Sequence, residues 1–136
     1  MTKNRKLLVV LIILTLVFIF GNSILDREKS AQESGWVKQL VEPVLEIVVG
    51  EGNVTDHLVR KLAHFSEYTL LGLEMMAFFG RPTAVTHCLC TAFLDESIQI
   101  LTGRGPSVID IWIDLAGGVF GCLIAWLILR SNHKEC

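Results

Sequence analysis

Charge is what this chain is short of. Only 19% of its 136 residues are Asp, Glu, Lys or Arg, against 51% hydrophobic, and a soluble domain of this size carries more charge. The charges sum to -2, which argues against nucleic acid as a partner. No secretory cleavage site follows the first apolar block, so Leu7 to Phe20 reads as the core of a retained helix and not of a removed signal peptide. The cysteines follow no zinc-ligand spacing, and none falls in the loop after that block. Structural disulfides are therefore not expected, and Cys88, Cys90 and Cys122 read as small apolar packing residues.

The apolar residues fall in four blocks of near-membrane-spanning length, too many for one small soluble core. The expected fold is an all-α integral membrane protein: one domain over 1–136, a compact bundle of about four transmembrane helices at 6–21, 58–79, 82–101 and 106–129. Asp56 is the expected N-cap of the second helix. Gly80-Arg81-Pro82 breaks the chain between helices two and three, and Thr102-Gly103-Arg104-Gly105-Pro106 breaks it between three and four. Each of the last three segments has roughly 20 residues and spans roughly 30 Å.

One long loop remains, 22–57. Within it Trp36, Val37, Leu40, Val41, Val44, Leu45 and Val48 share a helical face, with Lys38, Gln39, Glu42 and Glu46 opposite. That pattern fits an amphipathic segment in the membrane interface, kinked or restarted at Pro43, or a loop packed over the bundle mouth. The loop holds seven acids against three bases, whereas Lys3, Arg5 and Lys6 precede the first helix, Arg81 sits in a short turn, and Arg130 and Lys134 follow the last helix. The positive-inside rule then puts both termini in the cytoplasm and the long loop outside.

Ionisable residues cost roughly 2.5–3.5 kcal/mol each inside a membrane helix on insertion scales, yet three helices carry many. Lys61, His64, Glu67, Tyr68, Leu71 and Glu74 recur at three- and four-residue steps on one face. Thr91, Asp95 and Gln99 form a stripe on the third helix, with Glu96 beside it. Ser107, Asp110, Asp114 and Gly117 begin a stripe on the fourth, and Gly117-x-x-x-Gly121 allows close helix approach. Counting from the turns gives depth. Glu67 lies 14 residues before Arg81 and Asp95 lies 14 after it. Asp110 and Asp114 match Asp95 in the same way about the turn at Gly103. An antiparallel bundle thus gathers His64, Glu67, Asp95, Glu96, Gln99, Asp110 and Asp114 into one outer-leaflet layer, with Lys61 and Arg104 at its rim. Glu74 and His87 match in depth in the inner half and are expected to pair.

Five carboxylates in that layer, Glu67, Asp95, Glu96, Asp110 and Asp114, face two or three cations. They cannot all be ionised alone: some hold protons, or a divalent cation joins them. Asp95, Glu96, Asp110 and Asp114 would be its oxygen ligands, suiting magnesium, calcium or manganese better than copper. The bland alternative is a hydrogen-bonded network that only fixes helix register.

Three motifs carry a resemblance. Lys61-x-x-His64-Phe65-x-Glu67-Tyr68, Asp95-Glu96-x-x-Gln99 and Gly103-Arg104-x-x-Ser107-x-x-Asp110-x-x-x-Asp114-x-x-Gly117 resemble the VanZ-like family of membrane proteins. The likeness runs from about Asn22-Ser23 to Ala125, and Thr102 stands where that family commonly has proline. The family takes its name from a protein that accompanies glycopeptide resistance and lowers susceptibility to teicoplanin. The resemblance implies a cell-envelope protein in the plasma membrane of a Gram-positive bacterium, with no established reaction.

Three functions fit. One is a binding protein whose outer-leaflet pocket takes a membrane-lipid head group, a lipid-linked cell-wall precursor or a lipoglycopeptide. There Lys61 and Arg104 would meet phosphate or carboxylate, and the acids would meet amines or hydroxyls. Another is an intramembrane enzyme acting on a lipid-linked substrate, with His64 as general acid or base, Asp95 and Glu96 orienting it or holding a cation, and Arg104 stabilising negative charge. No serine or cysteine beside His64 marks a nucleophile. The third is an ion-coupled carrier, for which four helices would need a dimer.

Overall fold

The computed structural model describes residues 3–24, 39, 41–47, 50, 54–102 and 107–132. Trp36, Val37, Lys38, Leu40 and Val48 of the expected amphipathic segment lie outside these, as do Arg104 and Cys136. Four long helices result: α1 (Lys3–Ile24), α2 (Asp56–Phe79), α3 (Thr83–Leu101) and α4 (Val108–Asn132). Residues 41–47 are helical as well, and Gly50, at φ 87°, closes that stretch by donating to Glu46 O at 2.9 Å.

The helix ends follow local chemistry. Thr55 is the N-cap of α2, its side-chain oxygen accepting from Leu58 N at 3.2 Å, which corrects the assignment to Asp56. Asp56 instead sits in the first turn, where its negative charge faces the helix dipole. Gly80 ends α2 at φ 72° and donates to Met76 O at 3.0 Å, a conformation that favours glycine. Pro82 caps α3 from outside, one residue before the helix begins.

α2 and α3 form the middle of the bundle, and each packs against α1 and α4. The closest approach is α2 on α4. A methyl group on Gly117 would strike the Phe65 carbonyl, and one on Gly121 the Thr69 carbonyl, so only glycine lets the two backbones meet there. Tyr68, Leu71, Met75, Cys88, Ala92 and Cys122 fill the space between. Cys90 is exposed and does not pack, contrary to expectation.

The distribution of polarity is inverted relative to a soluble bundle. Phe18, Phe93, Leu94, Trp112 and Leu127 all face outward, while Thr15, Glu74, Asp95, Glu96, Gln99 and Asp114 are buried. α1 and α4 are each long and apolar enough to cross a membrane. α2 and α3, with 24 and 19 residues, carry Glu74, Asp95 and Glu96 of the interior, and α4 carries Asp114.

The two ends of the bundle differ. At one end, Arg5 lies 5.0 Å from the Phe78 ring centroid, and Arg81 and Arg130 lie 4.6 and 5.2 Å from that of Trp126. The polar cluster occupies the other end.

Candidate polar site

One side chain from each of three helices forms the centre. His64 of α2, Asp95 of α3 and Asp114 of α4 each offer a ligand-type atom, and these atoms lie within 4.8 Å of one another. The helical repeat explains the meeting. Each residue stands on its helix's inward face, and the packing of α2, α3 and α4 on one another brings the three to one depth.

Asp114 is fully buried, and neither of its oxygens has a hydrogen-bond partner among the described residues. His64 Nδ1 lies 3.4 Å from Asp114 Oδ1, close enough for an ion pair if the ring is protonated but without hydrogen-bond geometry. Asp95, also fully buried, is held on two sides. Ser23 Oγ of α1 donates to its Oδ1, and Gln99 Nε2 donates to its Oδ2 at 3.1 Å.

α1 contributes more than sequence reasoning assigned to it. Asn22 Nδ2 donates to Glu67 Oε1 at 3.1 Å, tying the end of α1 to α2. Thr102 Oγ1 lies 3.3 Å from the Ser23 carbonyl, joining the end of α3 to α1. Tyr68 is wholly buried, and its hydroxyl has no partner among the described residues.

Glu96 and Asp110 leave the central group. Glu96 Oε2 accepts from Ser107 N at 3.0 Å, so it satisfies an amide at the start of α4, an end that needs acceptors. Asp110 Oδ1 pairs with Lys61 Nζ at 3.5 Å on the half-exposed rim. The oxygen-only set of Asp95, Glu96, Asp110 and Asp114 is thus not what the helices gather. His64 takes a place there, and Glu96 and Asp110 have other partners.

The Glu74–His87 pair is also corrected. Glu74 Oε1 accepts from Thr15 Oγ1 of α1 at 3.1 Å. His87 turns back on its own helix, with Nδ1 2.7 Å from Thr83 O and its ring stacked 4.6 Å from Phe79. The two residues match in depth but point to different neighbours.

Beside the cluster, a groove of about 440 Å³ runs between α1 and α2, lined by Leu14, Thr15, Phe18, Ser66, Glu67 and Leu70. Its walls are mostly apolar, and the Glu67 carboxylate provides a polar edge.

Helices with apolar outer faces around buried carboxylates define a membrane-embedded helical protein. A model of the VanZ/LLP1 family matches residues 8–129, nearly the whole chain, and the chain belongs to that family. No curated protein and no solved structure matches it.

Proposed function

We propose that this protein spans the membrane four times, with both termini in the cytoplasm, and binds the polar head of an envelope lipid or lipid-linked cell-wall precursor at its outer-leaflet end. The observation that carries the reading is Asp114, a fully buried carboxylate with neither oxygen hydrogen-bonded among the described residues. A group left so inside a protein costs roughly 1–3 kcal/mol or more, so a missing partner is the economical explanation. The adjoining groove supports a lipid ligand, since Leu14, Phe18 and Leu70 would line an acyl chain whose head reached Glu67. Arg5, Arg81 and Arg130 at the opposite end support a cytoplasmic location for that end.

The same site would suit a lipoglycopeptide, which joins an acyl chain to a polar body. A contribution to teicoplanin resistance would follow from that. A second reading, an intramembrane enzyme acting on a lipid-linked substrate, draws on His64 beside Asp114 as an acid–base pair.

Extraction and mass spectrometry of lipids bound to the purified protein test the binding reading. Wild type is expected to enrich one head-group class over the bulk membrane, and Asp114→Ala to lose that enrichment. A bound-lipid profile equal to that of the bulk membrane would overturn it.

A further inference from the structure

We infer that His64, Asp95 and Asp114 form a binding site for one divalent transition-type cation, zinc or manganese in class. Their ligand atoms lie within 4.8 Å of one another, one from each of α2, α3 and α4. Asp114 is the independent indication. It is fully buried, stands 3.4 Å from His64 Nδ1, and neither carboxylate oxygen is satisfied among the described residues.

The His64–Asp114 spacing is itself informative. The two atoms sit 3.4 Å apart without hydrogen-bond geometry. Two ligands of a tetrahedral ion bound at about 2.0–2.1 Å stand about 3.4 Å apart, so an ion between them needs little rearrangement. The third ligand is already oriented. Ser23 and Gln99 hydrogen-bond the two oxygens of Asp95, the kind of outer support that fixes a ligating carboxylate.

Charge points the same way. Asp95 and Asp114 together bring two negative charges into a fully buried place, and a divalent ion cancels both. On the rim, Lys61 is engaged by Asp110. The imidazole nitrogen shifts the preference from calcium or magnesium, which take all-oxygen shells, toward zinc, while the two carboxylates still admit manganese. Three protein ligands leave a coordination position open, where a phosphate oxygen of a head group would fit.

The ion site stands on three side chains and not on the identity of the head group, so the two readings can fail separately. The test uses the full chain purified in detergent without chelator. Elemental analysis for zinc, manganese, iron, magnesium and calcium is paired with thermal unfolding in the presence of added zinc, added manganese or EDTA.

Wild type is expected to carry about one equivalent of zinc or manganese, to unfold at higher temperature with the ion added, and to lose that gain in EDTA. Asp114→Asn and His64→Gln are expected to lose both the metal and the thermal shift, while Cys90→Ser, at an exposed residue outside the site, keeps both. A wild-type protein free of these metals, with unfolding unmoved by added zinc or manganese, overturns the ion site. So does a metal content unchanged in both His64→Gln and Asp114→Asn. Enriched lipid on a metal-free wild type would overturn the ion and leave the head-group reading standing.

Discussion

Replacing Gly121 by alanine adds one methyl group where α4 crosses α2. That carbon would lie 2.9 Å from Leu73 N and from the Thr69 carbonyl carbon, with the Thr69 oxygen nearer still. Comfortable contacts begin at about 3.5 Å, and the Thr69 oxygen is the contact that decides, so the backbones must part by more than about 1 Å. A gap of about that size forfeits a quarter or more of each affected dispersion contact. Overpacking of this kind costs about 1–3 kcal/mol, and the upper part of the range is expected because backbone, unlike a side chain, cannot swing aside. Gly21 in α1 is the control. A methyl there meets nothing within 4 Å, and alanine exceeds glycine in helix propensity by up to about 1 kcal/mol. Thermal unfolding in detergent should therefore give opposite signs, with Gly121→Ala unfolding below wild type and Gly21→Ala at or above it. A Gly121→Ala protein as stable as wild type would refute the close α2–α4 packing, and with it the mechanism that brings His64 to Asp114.

Two further outcomes are expected. Thr55→Ala removes the N-cap bond to Leu58 N and should cost about 1 kcal/mol in denaturant or thermal unfolding, whereas Asp56→Ala should cost only about 0.3–1 kcal/mol; the reverse order would return the cap to Asp56. Thr15→Val leaves Glu74 Oε1 without its donor and should destabilise by about 1–3 kcal/mol, while His87→Ala, losing mainly its stack on Phe79, should cost under about 1.5 kcal/mol. Coupled losses at Glu74 and His87 in a double-mutant cycle would instead restore that pair.

The depth of the site was legible because two short turns fix the relative height of α2, α3 and α4. His64, Asp95 and Asp114 could be aligned by counting residues from Arg81 and from Gly103. Azimuth was harder. Asp95 and Glu96 are neighbours in sequence, but adjacent helical residues point about 100° apart, so Asp95 meets Ser23 while Glu96 meets the start of α4. Glu74 and His87 failed for the same reason, since equal depth does not fix the direction in which a side chain points. α1 was the least legible. The long connection between α1 and α2 transmits no register, so nothing in the count could set Thr15 against Glu74 or Ser23 against Asp95. The only signs were Thr15 inside the apolar run and the polar pair Asn22-Ser23 at its end.

An outer-leaflet site requires α2 and α3 to cross the membrane, so that the polar cluster and the end carrying Arg5, Arg81 and Arg130 face opposite sides. Labelling of single-cysteine variants in intact cells with a membrane-impermeant maleimide tests this directly. Thr55, Thr83 and Val108 are all exposed, at the starts of α2, α3 and α4. Thr55→Cys and Val108→Cys are expected to react from outside, and Thr83→Cys only after the membrane is permeabilised. If Thr83→Cys and Val108→Cys react from the same side, α3 does not cross, and the outer-leaflet site is contradicted.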